Sequence, residues 1–148
     1  MSSLVVADAS LALKWVLAEH DSVSALALLN KWTNDGVRVI APALFVYEVT
    51  NTFYQHARSG KLTYDEAKQA LTDLFSVGVL LKFTFYKEIS KQAMEYARQF
   101  TLPAAYDAHY LALAQREHCE YWTADTRLWN SVKGKLGWVR WFGDYVNS

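Results

Sequence analysis

The chain has a single cysteine, Cys119, among 148 residues, so no internal disulfide can hold the fold together. The thiol stands beside an apolar stretch, and neither a positively charged residue nor a Cys-His-Asn pattern activates it. These features favour a small packed side chain over a nucleophile and indicate a reducing compartment.

The sequence has no excess of charge of either sign. Lys plus Arg and Asp plus Glu number 15 each, so the chain offers no global basic field for nucleic acid and no acidic tail. Any site for a polyanion must therefore be local. Most basic residues are expected to be solvated surface charges, and the local candidates among them are Lys14, Arg58, Lys61, Arg127, Lys133, Lys135 and Arg140.

No uninterrupted apolar stretch is long enough to cross a bilayer. The first apolar run is short, precedes Asp8 directly and has no Lys or Arg before it, so we expect that it is not a signal peptide. A soluble cytoplasmic protein without membrane contact is predicted. The 52% share of hydrophobic residues suffices for one sizeable core, which predicts a single domain over residues 1–148.

Several common catalytic motifs are also missing. The sequence contains no Gly-rich phosphate loop and no Gly-x-Ser-x-Gly elbow, and its histidines show no zinc-binding spacing. The tryptophans raise the possibility of base stacking. We expect core or interface packing instead, because Trp15, Trp32 and Trp122 lie in segments of apolar periodicity.

Short apolar runs alternate with segments of helical periodicity along the chain. Strands are predicted at residues 4–7, 37–40, 79–83, 119–123 and 137–142. Helices are predicted to begin at Ser10, Ser22, Pro42, the capping-box residue Thr63, about residue 87, Asp107 and Thr126. This alternation predicts an α/β fold, a three-layer α/β/α sandwich with a mostly parallel central sheet.

Four carboxylates stand at the margins of apolar segments, where a charge needs a partner. Asp8 ends the first strand, Glu48 lies inside an apolar helix, Asp107 precedes a helix and Asp125 follows the fourth strand. Loops at the carboxyl ends of parallel strands gather at one edge, so all four can reach one rim. At about 4 Å, each pair repels by roughly 4 kcal/mol at a surface-like dielectric unless a proton or cation intervenes.

A divalent cation is the compensation that such oxygen ligands favour. Without Cys or His ligands, Mg²⁺ or Mn²⁺ is preferred over zinc, and such a site suits attack of water on a phosphodiester. Ser10, Asn51 and Thr123 are neutral oxygen donors near three of the acids, suited to holding waters around the ion or a phosphate.

Each acid taken alone has an ordinary structural explanation. Asp8 and Asp107 could cap helices, Glu48 could be a solvated helix residue and Asp125 could form a turn. The combination favours a shared site. Glu48 decides between the two interpretations, because its apolar neighbours are not those of a surface glutamate.

Four ordered motifs resemble those of PIN-domain nucleases: Val-Ala-Asp-Ala-Ser at 6–10, Glu-Val-Thr-Asn at 48–51, Tyr-Asp-Ala-His-Tyr-Leu-Ala-Leu-Ala at 106–114 and Thr-Ala-Asp at 123–125. They are most similar to the VapC-like toxins of type II toxin/antitoxin pairs. The resemblance implies an α/β/α sandwich, Mg²⁺ or Mn²⁺ dependence, endonucleolytic cleavage of RNA, and often a homodimer held by a small antitoxin. By motif position it implies a catalytic, metal-binding set of Asp8, Glu48, Asp107 and Asp125, with Ser10, Asn51 and Thr123 in support.

Other functions stay open at this point. A PIN-like RNA-processing nuclease outside a toxin/antitoxin pair would share these residues. A binding module could hold a metal or a basic partner segment in the acidic pocket without turnover. A phosphatase with an aspartyl nucleophile also has Asp after its first strand, but such enzymes usually resemble Asp-x-Asp there, and this chain has Ser10 two residues after Asp8. No RNA-contacting residue is assigned from the sequence.

Overall fold

A computed structural model describes residues 2–148 and contains a five-stranded sheet in which every neighbouring pair is parallel. The strands are β1 (Leu4–Ala7), β2 (Arg38–Pro42), β3 (Leu80–Lys82), β4 (Glu120–Thr123) and β5 (Val139–Trp141). Their order is β3-β2-β1-β4-β5, which places β1 at the centre between β2 and β4.

Helices follow the strands and cover the sheet. They are α1 (Ala9–Ala12) with a 3-10 turn at Leu13–Trp15, α2 (Ser22–Asn34), α3 (Leu44–Arg58), α4 (Tyr64–Ser76), α5 (Tyr86–Gln99), α6 (Ala108–Glu117), α7 (Thr126–Val132) and α8 (Phe142–Val146). α6 lies against β1, β2 and β4, α5 packs on α6, and α3 packs on α4. The predicted three-layer α/β/α sandwich with a parallel sheet is confirmed.

The central strand shows why both faces of the sheet must be covered. Val5, Val6 and Ala7 are all buried, with at most 2% of each side chain exposed. Successive side chains of a strand point to opposite faces, so burial of all three requires a helical layer on each side. Among residues 2–148, no helix is long and apolar enough to cross a membrane.

Two predicted helix starts were wrong. Asp8, rather than Ser10, caps α1, because its carboxylate accepts a hydrogen bond from the backbone N–H of Leu11. Pro42 is the last residue of β2, and α3 begins at Leu44. Pro42 aligns with Lys82, so the pairing of β2 with β3 extends to the proline.

The C-terminal strand is shorter than predicted. Aromatic and β-branched residues favoured a strand over residues 137–142, but β5 ends at Trp141 and Phe142 begins α8. The pairing partner explains the difference, since Trp141 aligns with Thr123, the last residue of β4. Beyond that position β4 offers no backbone groups for a longer β5.

The aromatic and thiol predictions are confirmed. Trp32 makes edge-to-face contacts with Trp15 and Trp122, at centroid distances of 6.5 and 5.9 Å. All six tryptophans are buried or half-buried. Cys119 is buried, and that burial raises the pKa of its thiol to about 11, which leaves it protonated and inert.

The capping box at the start of α4 yields a stability prediction. Thr63 Oγ1 accepts a hydrogen bond from Glu66 N at 3.1 Å, and Thr63 N donates to Glu66 Oε1 at 2.8 Å. We expect Thr63→Ala to lower the free energy of unfolding by about 1 kcal/mol in urea denaturation. Thr72→Ala, at an exposed position within the same helix, is the matched control and should cost nothing, because alanine favours the helix. Equal losses in both variants would contradict the capping role.

Candidate active site at the carboxyl edge of the sheet

The structure brings the four predicted acids to one edge of the sheet. Asp8 directly follows β1, and Asp125 follows the adjacent β4. Glu48 lies in the second turn of α3, the helix after β2, and Asp107 directly precedes α6. Beside them is a cleft of about 440 Å³, here called the acidic cleft, whose lining includes Tyr47, Glu48, Asn51, Tyr106, Asp107 and Asp125.

Asp8 is the most enclosed of the four acids, with 6% of its side chain exposed. Its Oδ1 accepts hydrogen bonds from Ser10 Oγ at 2.6 Å and Leu11 N at 3.2 Å. Its Oδ2 accepts from Tyr121 OH at 2.6 Å and from Thr123 Oγ1. Burial raises the pKa of Asp8, and these hydrogen bonds oppose that rise. The donors fix the orientation of the carboxylate.

The predicted supporting residues occupy different places. Ser10 Oγ accepts from Ala124 N, and Thr123 Oγ1 accepts from Asp125 N, both at 3.0 Å. These two hydroxyls therefore join Asp8 to the loop that carries Asp125. Asn51 is instead exposed on α3 and lines the acidic cleft.

Glu48 is half-buried and hydrogen-bonded to a tyrosine. Tyr110 OH donates to Glu48 Oε1 at 2.5 Å. Burial raises the pKa of Glu48 to about 7, the hydrogen bond from Tyr110 opposes the rise, and the charges of Asp107, Asp8 and Asp125 increase it. Burial and the Glu48 charge also raise the pKa of Tyr110, so its hydroxyl remains a proton donor.

Asp107 and Asp125 differ in their local roles. Asp125 caps α7, because its Oδ1 accepts from the backbone N–H groups of Arg127 and Leu128 at 2.9 and 3.3 Å. Asp107 is at the cap position of α6, yet its side chain makes no capping hydrogen bond. Burial, followed by the charges of Asp8 and Asp125, raises the pKa of Asp107 to about 6. Capping thus explains Asp8 and Asp125 in part, but leaves Asp107 without a structural role.

Two buried tyrosines connect the acids, and the sequence analysis missed them. The rings of Tyr110 and Tyr121 stack at 5.8 Å with an interplanar angle of 14°. One donates to Glu48 and the other to Asp8. A usable signal was present, since both tyrosines lie in segments of apolar pattern and a buried tyrosine hydroxyl needs a partner.

The candidate basic residues differ in whether they form ion pairs. Lys14 pairs with Glu19 and Asp21 at 2.7 and 3.1 Å, and Arg140 pairs with Glu120 at 2.8 Å. Arg127 lines the acidic cleft, and within residues 2–148 it has no ion-pair partner. Of the seven candidate basic residues, it is the one that lines the acidic cleft within residues 2–148.

The donor set suits a hard divalent cation, although the carboxylates do not converge fully. Over the described residues 2–148, no three His, Cys, Asp or Glu side chains form a group ready to hold a metal ion. Protein donors engage Asp8, Glu48 and Asp125. Carboxylates that raise one another's pKa are nevertheless the ligands that a cation of this class would stabilise.

The raised pKa values predict how stability changes with pH in the presence of a chelator. Glu48 and Asp107 ordinarily titrate near 4.5 and 3.8, and here near 7 and 6. The folded state therefore binds these protons more tightly than the unfolded chain, and the resulting stability is lost as pH rises. We expect the melting temperature to fall between about pH 4 and about pH 8, with a shallower fall in Glu48→Gln. A melting temperature that rises across this window would contradict the prediction.

Comparisons with known proteins agree with this architecture. The PIN domain family model matches residues 5–135. The chain is 30% identical over 120 residues to Ribonuclease VapC3 of Pyrobaculum aerophilum, a match covering 76% of this chain and 91% of that protein. It shares its fold with the crystal structure of PAE2754 from Pyrobaculum aerophilum, with a TM-score of 0.67 and 21% identity over 97% of this chain and 86% of the other. The chain is a member of the PIN domain family.

Proposed function

We propose that this protein is an endoribonuclease that depends on Mg²⁺ or Mn²⁺ and hydrolyses RNA phosphodiesters. The observation that supports it most is the set of four acids at one edge, in which Glu48 and Asp107 carry pKa values raised by burial and by neighbouring charges. An arrangement that is unfavourable alone becomes favourable when a cation is present. The similarity to a protein named Ribonuclease VapC3 supports the same conclusion.

The residues divide the work in the proposed site. Asp8, Glu48, Asp107 and Asp125 would hold the ion, which when bound supplies Lewis-acid activation of water and screening of the phosphate charge. Ser10, Thr123 and Tyr121 fix the Asp8 carboxylate, and Tyr110 orients Glu48. Arg127, at the cleft wall, would bind a phosphate oxygen of the substrate.

We also propose that the protein acts as the toxin of a VapBC-like toxin/antitoxin pair, with residues 1–148 forming one nuclease domain. The named relative and the PIN match support this role. A small antitoxin would then be its partner and a homodimer its working form. Co-expression with the protein encoded by the neighbouring gene, followed by light scattering of the purified species, tests both features. An RNA-processing nuclease outside such a pair would cleave RNA without an inhibiting neighbour.

The two alternatives make distinct predictions. A binding module would bind Mn²⁺ in calorimetry and cleave no RNA in parallel assays. An aspartyl phosphatase would need Asp8 as an open nucleophile. Asp8 is instead 6% exposed, and both of its carboxylate oxygens accept hydrogen bonds. The geometry therefore favours a binding and orienting role for this carboxylate over covalent attack.

Replacing Asp107 tests the proposed chemistry. We expect Asp107→Asn to lower the rate of RNA cleavage with Mn²⁺ by more than about 100-fold, because it removes a charged oxygen ligand. The same variant should melt at or above the wild-type temperature in chelator, since it also removes repulsion among the acids. Asp73→Asn, at an exposed position of α4, is the matched control. Full activity of Asp107→Asn, or of the wild type in excess chelator, would refute the proposal.

Replacing Tyr110 tests how Glu48 is oriented. Tyr110→Phe keeps the stacked ring but removes the hydroxyl that donates to Glu48. We expect a 10- to 100-fold loss of Mn²⁺ affinity in calorimetry, about the range for removing a residue that orients a ligand. Tyr54→Phe, on the exposed side of α3, should leave the affinity unchanged. Identical titrations for the two variants would show that the hydroxyl has no part in ion binding.

A further inference from the structure

Two exposed tyrosines flank the acids of the site. Tyr47 directly precedes Glu48, and Tyr106 directly precedes Asp107. They are 70% and 67% exposed, and both line the acidic cleft. The hydroxyl of neither has a hydrogen-bond partner within residues 2–148. Glu48 and Asp107 thus each have an exposed tyrosine next to them in the sequence, and the two tyrosines come from different parts of the chain.

Other aromatic rings are also exposed, among them Tyr64 and Phe83, but Tyr47 and Tyr106 are the aromatic residues that line the acidic cleft within residues 2–148. All six tryptophans are buried or half-buried, and Tyr110 and Tyr121 are fully buried. Exposing a large aromatic ring to water forgoes the free energy of burying it, so the core gains nothing from Tyr47 and Tyr106. A ligand with flat apolar faces would recover that free energy by covering them.

Arg127 supplies the complementary charge in the same cleft. It lines the cleft together with both tyrosines, and no carboxylate in residues 2–148 forms an ion pair with it. A guanidinium of this kind binds phosphate in a directed, two-pronged geometry. Two open rings and one unpaired cation around an ion-binding set are the elements of a site for a nucleotide chain.

We propose that Tyr47 and Tyr106 form a base-stacking site that binds unpaired nucleobases of RNA next to the phosphate contacted by Arg127. The proposal rests on the proposed nuclease function for where cleavage occurs, but the stacking itself is a separate contact. Bases inside a duplex are stacked on one another and present no free face, so these two rings can take only unpaired bases. The proposal also predicts tolerance of base identity, since every base has a stacking face.

The test uses a short single-stranded RNA containing 2-aminopurine, whose fluorescence is quenched when it stacks. It is titrated with the wild type and with Tyr47→Ala, Tyr106→Ala, Tyr47→Phe and Tyr106→Phe, in parallel buffers containing EDTA and Ca²⁺. We expect each alanine variant to weaken binding roughly 5- to 150-fold and to reduce quenching, as for the loss of one stacked base. The phenylalanine variants keep the ring and should retain both. A fully paired duplex of the same sequence should bind more weakly.

Tyr64→Ala is the control for loss of an exposed tyrosine. Tyr64 is 64% exposed and does not line the cleft. It lies at the start of α4, which follows the C-terminal end of α3, whereas Glu48 lies near the N-terminal end of α3. Its removal should leave RNA affinity unchanged. A matching oligonucleotide with abasic positions gives a second control, because the alanine variants and the wild type should bind it equally.

The outcomes separate stacking from catalysis. Equal RNA affinity and quenching in the wild type and both alanine variants, or no quenching by the wild type in either buffer, would overturn the stacking site. Binding of an arginine-rich peptide is measured in parallel. If the alanine variants lose peptide binding but keep RNA binding, the tyrosines contact a protein partner, and the stacking site is also overturned. Stacking without cleavage in Mn²⁺ would refute only the nuclease proposal. Wild-type cleavage rates in both alanine variants, together with unchanged RNA affinity and quenching, would refute only the stacking.

Discussion

The enclosed carboxylate of Asp8 is the constraint on which the rest of the site depends. A charge with 6% exposure is tolerated only if its oxygens are hydrogen-bonded, and its donors come from both ends of the sequence. Ser10 and Leu11 come from the start of α1, shortly after Asp8 in the chain, while Tyr121 and Thr123 come from β4. Satisfying one carboxylate therefore ties the end of β1, the start of α1 and the end of β4 into one unit.

The stacked pair of Tyr110 and Tyr121 extends this unit to the second acid. One hydroxyl contacts Asp8, the other contacts Glu48, and the rings are buried against each other. Ring packing is rigid compared with a chain of flexible polar side chains, so the two carboxylates keep a fixed relation. The acids remain mutually unfavourable in the protein alone, and burial together with neighbouring charges raises the pKa of Glu48 and Asp107. Functional sites commonly contain charges that lower the stability of the protein alone and that a bound ligand compensates.

A neutral protein can still present a site for a polyanion, because the field that matters is local. The formal net charge is 0, and ion pairs occupy several of the basic residues, including Lys14 and Arg140. Arg127 is placed in the cleft by α7, whose first turn Asp125 caps. Asp125 therefore has two roles. Its carboxylate lies among the four acids, and it also caps the helix that carries Arg127, the one guanidinium that lines the cleft within residues 2–148.

Local patterns in the sequence determined the alternating strands and helices, the capping box at Thr63 and the four acids, because these depend on neighbours within a few residues or on an ordered motif. The tertiary structure decided what depends on distant packing. It made Asp8 rather than Ser10 the cap of α1, packed Tyr110 and Tyr121 against each other beside Glu48 and Asp8, and brought Arg127, of the seven scattered basic residues, to the lining of the acidic cleft. It also placed the exposed rings of Tyr47 and Tyr106 in the lining of the acidic cleft, while it buried Tyr110 and Tyr121. The physical reason is that the apolar periodicity of a segment depends only on nearby residues. The burial of a side chain and its hydrogen-bond partner depend on which distant segments fold against it.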